Sequence, residues 1–140
     1  MTDLSELKVP GPIFEPLNTP FWDSAAEGVL KIQHCQSCQS HVFYPRPICP
    51  HCWADALEWV AVSGQGQLKS YSEIHKPGHP GWASIAPYVV GLVRLREGPT
   101  LLSHILTDGQ APRVGAPVDF APTRIGENTL PCFRLAKDMT

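Results

Sequence analysis

The hydrophobic and polar positions of this chain fall mainly into short runs with the character of strands. Leu30-Lys31-Ile32-Gln33-His34 alternates, and His41-Val42-Phe43-Tyr44-Pro45-Arg46-Pro47 answers it, which predicts a hairpin. Glu58-Trp59-Val60-Ala61-Val62 and Gln67-Leu68-Lys69-Ser70-Tyr71-Ser72-Glu73-Ile74 flank Ser63-Gly64-Gln65-Gly66, which predicts two strands joined by a glycine turn. Tyr88–Leu95 and Thr100–Leu106 flank Glu97-Gly98-Pro99, and Val114–Phe120 and Leu130–Leu135 flank a turn near Gly126-Glu127-Asn128. About five strands in this meandering order predict a small barrel of the OB type.

One stretch has the other period. Phe21, Trp22, Ala25, Ala26 and Val29 recur at helical spacing with Asp23, Ser24 and Glu27 opposite. Thr19 is placed as N-cap, Pro20 in the first turn, where its missing N–H costs nothing, and Gly28 as terminator. So short a helix cannot stand alone and must pack, either on the chain's own sheets or on a partner. Ahead of it, Pro10, Pro12 and Pro16 predict an extended arm, either free or docked through Ile13 and Phe14. The stretch His75–Pro87 is too rich in Pro and Gly for a strand. A loop of that length is functional or disordered, and Lys76, His79 and Trp82 on it point to function.

Composition agrees with a mainly β fold. The 140 residues include 15 prolines and 11 glycines, which disfavour long helices, and 43% apolar content supports one ordinary domain or two small ones sharing a surface. The net charge is −2, with one lysine against five carboxylates in residues 1–29 and eight bases against six acids in 61–140. Nucleic acid is therefore not the expected partner: single-strand binders join a basic groove to stacking aromatics, and this barrel is barely positive.

The cysteines carry the sharpest chemistry. Cys35-Gln36-Ser37-Cys38 and Cys49-Pro50-His51-Cys52 are two Cys-x-x-Cys knuckles ten residues apart, the pattern of a zinc ribbon. Two disulfides are the alternative. No charged-then-apolar leader opens the chain at Met1-Thr2-Asp3-Leu4-Ser5, and no apolar run approaches the ~20 residues of a membrane span, so a cytoplasmic protein with reduced thiols and no membrane partner is expected. Four cysteines leave no vacancy for His34, His41 or His51, and they close the coordination sphere, so the ion stabilises folding rather than activating a nucleophile. Arg46, held between two prolines beside the metal, is either a solvated arginine or a candidate phosphate contact. Cys132 and His104 lie in strand patterns and read as structural. The sequence has no Gly-x-Ser-x-Gly elbow, Walker loop, dinucleotide fingerprint or His-x-Glu ahead of the second cysteine pair.

The chain resembles the acyl-CoA-associated zinc-ribbon/OB-fold family over nearly its whole length. The likeness rests on Pro20-Phe21-Trp22, the two knuckles with Pro45-Arg46-Pro47-Ile48 between them, Glu58-Trp59-Val60 with Ser63-Gly64-Gln65-Gly66, Pro87-Tyr88-Val89-Val90 and Val114-Gly115-Ala116-Pro117-Val118. It implies an N-terminal helical segment (1–29), a rubredoxin-like ribbon (30–57) and a C-terminal OB barrel (58–140). It also implies a non-catalytic subunit that binds a thiolase-like or aldolase enzyme and helps form its acyl-CoA channel or active site. Arg46, Lys76, His79 and Trp82 are the candidate contacts to acyl-CoA or partner, and Cys35, Cys38, Cys49 and Cys52 the zinc ligands. Trp53 stands where many relatives carry glycine.

Overall fold

The computed structural model describes residues 4–136. A 3-10 turn (Leu4–Glu6) leads to helix α1 (Thr19–Ala26), then strands β1 (Lys31–Cys35), β2 (His41–Val42) and β3 (Leu57–Ala61) form a three-stranded antiparallel sheet in the order β2-β1-β3. A five-stranded closed barrel follows, built from β4 (Gln65–Ile74), β5 (Tyr88–Leu95), β6 (Thr100–Leu106), β7 (Pro117–Phe120) and, after the small hairpin β8 (Thr123–Ile125) and β9 (Asn128–Leu130), β10 (Cys132–Leu135). The barrel runs β10-β6-β5-β4-β7, with β10 antiparallel to β7 and parallel to β6. The mainly β architecture, short helix, ribbon and OB barrel all stand as expected.

The pairing differs from the sequence reading in one place. β3 does not pair with β4 across the glycine turn. It lies against β1, with Ile32 opposite Val60 and Gln33 opposite Trp59. β1 has a β-competent neighbour on both sides, and the two-residue β2 covers only its end at Gln33 and His34, so β3 completes the sheet. β4 instead joins β5, with a register shift between Leu68 and Ser70 that loops out Lys69 and lets the long strand coil around the barrel. Opposite that bulge, a Cβ on Gly91 would sit 2.6 Å from Leu68 Cδ1 and 2.9 Å from the Ser70 carbonyl, so β5 approaches β4 closely only because this residue has none.

Helix α1 also differs in detail. Asn18, not Thr19, is the N-cap residue, and the Asn18 side chain accepts from the Glu15 N–H (2.8 Å) and donates to the Ile13 carbonyl. The amide thus organises the turn ahead of the helix, while the Thr19 hydroxyl donates to the Glu15 carbonyl. At the other end Gly28 (φ 88°) forms a Schellman stop, with Gly28 N–H donating to Ala25 O and Val29 N–H to Ser24 O. The buried face is Phe21, Ser24 and Ala25, and Ser24 is tolerated there because its hydroxyl donates to Phe21 O.

The helix packs on its own chain. Phe21, Leu30 and Ile32 share one core cluster with barrel residues Leu68, Val93, Leu101, Ile105 and Phe133, so ribbon and barrel are joined by continuous apolar contact. The arm is docked: Phe14, though largely exposed, meets Trp22 edge-to-face at 5.9 Å, while Ile13 stays exposed and the buried contact is made further upstream. Leu7 is buried against Ile125 and Cys132, with Leu4 and Val9 beside them, and Gly126 N–H donates to Leu4 O. The long loop contains a 3-10 helix (Pro80–Ile85) whose Gly81 packs directly on the Lys8 carbonyl.

Candidate metal centre and binding cleft

Each knuckle is built by the same backbone device. In the first, Gln39 N–H donates to Cys35 O and Cys35 N–H to Ser40 O; in the second, Trp53 N–H donates to Cys49 O and Cys49 N–H to Ala54 O. Gln39 (φ 63°) and Trp53 (φ 67°) both take the left-handed conformation that turns the chain away after the second cysteine. That turn brings the two thiols of a knuckle to one side, and the β1–β2 sheet sets the knuckles face to face.

The four sulfurs converge as a metal site requires. Cys35, Cys38, Cys49 and Cys52 place their Sγ atoms within 4.8 Å of one another, with Cys35–Cys52 at 3.6 Å and Cys38–Cys49 at 3.7 Å. A tetrahedron with zinc–sulfur bonds of about 2.3 Å has edges of about 3.8 Å, so the donor set fits zinc. The same separations are far beyond the ~2.05 Å of a covalent sulfur pair, and all four cysteines are free, which rules out the disulfide alternative. Cys35 and Cys49 are buried and Cys38 and Cys52 lie nearer the surface. Hydrogen bonds from the Ser40 hydroxyl and backbone lower the Cys38 thiol to about 6, readying it as a thiolate. Cys52 goes the other way, to about 11: the Ala54 N–H pulls it down, but desolvation and the neighbouring cysteines outweigh that pull.

The nearby histidines stand outside this cluster. His34 and His41 face each other across β1 and β2 with ring centroids 4.9 Å apart, and His34 Nδ1 lies 3.5 Å from Glu58 Oε1. Buried Gln33 ties the return segment back to β1, its amide donating to Arg46 O and accepting from Arg46 N–H at 2.8 and 2.7 Å. The Arg46 backbone is thereby fixed, and its exposed side chain lines a cleft of about 520 Å³ with His41, His51 and Glu97.

Trp53 is 80% exposed, so the left-handed position is occupied by a side chain that packs on nothing substantial. A non-glycine residue in that conformation costs about 1–2 kcal/mol, partly offset by the chain entropy that glycine loses. Trp53→Gly should therefore raise stability by ~0.5–1 kcal/mol, read as a higher urea midpoint, with metal content unchanged.

The loop residues are not gathered into one site with Arg46. Lys76 and His79 are exposed, and the His79 ring is spent locally, its Nδ1 accepting the Gly81 N–H at 2.9 Å to cap the 3-10 helix. Trp82 is half-buried and stacks with Tyr88 (5.4 Å) and His104 (6.0 Å). These three rings, with Trp22, Val90 and Leu102, line a second cleft of about 360 Å³. Tyr88, Val90, Leu102 and His104 were missed as cleft residues by sequence reasoning. The available signal was that Tyr88-Val89-Val90-Gly91-Leu92-Val93 is apolar at both parities, which marks a strand covered on both faces. Burial lowers the pKa of His104 below its ordinary value, so its ring is neutral. Cys132 is fully buried and its thiol is pushed up to about 11 by desolvation, in keeping with a packing role.

Together the four-thiolate centre and the closed barrel define a zinc-ribbon and OB-fold protein. The sequence matches the family described as ChsH2, rubredoxin-like zinc ribbon domain, over residues 22–58 and that described as ChsH2, C-terminal OB-fold domain, over residues 59–121. The chain belongs to this DUF35 family. It is 38% identical over 96 residues to a DUF35 domain-containing scaffold protein of Methanothermobacter thermautotrophicus, covering 66% of this chain and 71% of that protein. It is 37% identical over 131 residues to a probable enoyl-CoA hydratase alpha subunit of Thermomonospora curvata, covering 91% of this chain but only 40% of that subunit. A solved chain of the Ltp2-ChsH2(DUF35) aldolase superposes with a TM-score of 0.79 at 36% identity, over 91% of this chain and 100% of that one.

Proposed function

We propose that this chain is a non-catalytic subunit of an acyl-CoA-processing complex, binding a thiolase-like or aldolase enzyme and helping to form its acyl-CoA channel or active site. The observation that carries this reading is the end-to-end likeness to a DUF35 chain solved as part of an aldolase. The site chemistry is consistent with it. Cys35, Cys38, Cys49 and Cys52 would hold a zinc ion that pins the two knuckles and adds folding free energy, and four thiolates leave no coordination position for a substrate. The surface offers contacts in place of chemistry: Ile13, Phe14 and Leu17 on the arm and Leu102 on the barrel are exposed apolar side chains of the kind that mark interfaces. Arg46, Lys76, His79 and Trp82 are the proposed contacts to acyl-CoA or the partner, in a cytoplasmic setting that keeps the thiols reduced.

Co-purification of the tagged chain from its native extract in mild salt tests this. A stoichiometric thiolase-like or aldolase protein is expected, with acyl-CoA turnover by the complex and none by the chain alone. Salt-released nucleic acid as the sole companion, or turnover without a partner, would overturn it. Changing Lys76 and Trp82 together to alanine is expected to weaken turnover by the complex several-fold while zinc content stays constant. Unaltered turnover would remove the loop from the site.

A further inference from the structure

The ribbon sheet ends at β3, which pairs with β1 in unbroken register from Leu57 to Ala61, and no strand among the described residues lies along its other side. The hydrogen bonds that bracket this pairing, Val62 N–H to Leu30 O and Gln36 N–H to Ala56 O, fix its phase. Bonded positions in an antiparallel pair recur at every second residue, so Glu58 and Val60 turn their N–H and C=O groups toward β1. Leu57, Trp59 and Ala61 therefore turn theirs outward, as a row of alternating donors and acceptors.

Open strand edges are ordinarily guarded by lysine, proline or a bulge. β4 carries such a guard near the point where it runs beyond β7, with Lys69 looped out. Leu57-Glu58-Trp59-Val60-Ala61 has none of the three, and its tryptophan and valine favour strand pairing. The strand is also approachable. Glu58 and Ala61 are exposed, and among the described helices and strands only β1 touches β3 more than slightly.

We propose that β3 pairs with β3 of a second copy of this chain, antiparallel about a two-fold axis through Trp59, so that two ribbon sheets become one. The segment selects this occupant because it is complementary to itself. In that register Leu57 faces Ala61 of the second copy, Trp59 faces Trp59 and Ala61 faces Leu57, and every outward N–H and C=O group is bonded. The intervening positions set Glu58 against Val60 at both ends, so no like charges meet directly. The two indoles share one face of the sheet at the axis, where the Cα atoms of a bonded pair lie about 5.5 Å apart, within reach of an aromatic cross-strand contact. One short strand per copy is far less than the ~20–30 residues a side of a standard interface, so the dimer is weak and concentration-dependent. It does not rest on the accessory-subunit reading.

Sedimentation equilibrium of the zinc-loaded full chain tests the pairing: the average mass should climb from one chain toward two as concentration rises from micromolar to millimolar. Ala61→Pro should hold the chain monomeric throughout. It deletes an outward N–H at a position that makes no bond to β1, so zinc content and circular dichroism should match the parent. Should proline disturb β3 itself, position 60 gives a second reading. Val60→Glu sets like charges opposite each other across the axis and should weaken association at least tenfold, whereas Val60→Lys, as polar a change, sets lysine against Glu58 and should retain it. In hydrogen exchange the amides of Leu57, Trp59 and Ala61 should slow as concentration rises, while those of Glu58 and Val60 are slow throughout. A single-chain mass at millimolar concentration, a dimer that persists in folded Ala61→Pro, or equal effects of glutamate and lysine at position 60 overturns the proposal. So does slowing of the three outward amides only when a thiolase-like or aldolase enzyme is added, which would give the edge to that enzyme.

Discussion

Cys49→Ser should leave the protein without bound metal and with its ribbon unfolded. Cys49 is fully buried, and its sulfur stands 3.7 Å from Cys38, so a serine oxygen placed there is a shorter and harder ligand where a thiolate is needed. The loss is large because a structural zinc site supplies on the order of 10 kcal/mol in small zinc-binding folds, comparable with the whole ~5–15 kcal/mol stability of a domain. Metal analysis of the purified variant should fall from about one zinc per chain to near none. Circular dichroism should show lost β structure at temperatures where the parent is folded. Cys132→Ser is the informative contrast. That residue is equally buried but outside the sulfur cluster, so zinc is retained and only the ~1–3 kcal/mol of an imperfectly satisfied hydroxyl is lost. Equal metal loss in both variants would refute the four-cysteine assignment.

The metal centre was legible in the sequence because its geometry is local: each knuckle is set by four residues and the turn behind them. β5 and β6 were legible for the same reason, their apolar runs being long and bounded by a clear turn. Partnership between strands was not. Alternation in Glu58–Val62 says that a strand exists but not which neighbour it meets, and the glycine turn after it pointed to β4 while β1 had the open edge. The short β8–β9 hairpin was seen only as its turn, since three-residue strands hold too few positions to display a period. The docked arm shows a further limit. Phe14 is the larger apolar residue and only lays its edge on Trp22, yet Leu7 is the one buried, because Gly81 and Gly126 let the backbone near it lie directly on the barrel's loops. The candidate ligand contacts were chosen by residue type, and the structure distributes Arg46 and Trp82 to separate clefts. The stacking of Tyr88 on His104 depends on strand register, which composition does not encode.

Phe133→Ala should destabilise the ribbon and the barrel together, although residue 133 lies 81 positions beyond the last knuckle cysteine, Cys52. Phe133 is fully buried on β10, edge-to-face with Phe120 at 5.5 Å, and it belongs to the same apolar cluster as Phe21 of α1 and Leu30 and Ile32 beside the first knuckle. Removing such a ring costs about 3–5 kcal/mol, from lost burial and the cavity left behind. If the shared cluster couples the two sheets, thermal unfolding followed by barrel circular dichroism and by zinc release to a chelating dye should shift down in parallel and remain one transition. A hydrogen bond from the Leu102 N–H to the Tyr44 hydroxyl, joining the ribbon's return segment to β6, works in the same direction. Separation into two transitions, with zinc held after the barrel has melted, would mean that the ribbon folds independently and that the apolar contact between α1, β1 and the barrel is incidental. The coincident outcome gives the metal a role beyond its own hairpin, since fixing the knuckles anchors β1, β1 completes the core under the barrel, and the barrel presents the outer face of β5 and β6.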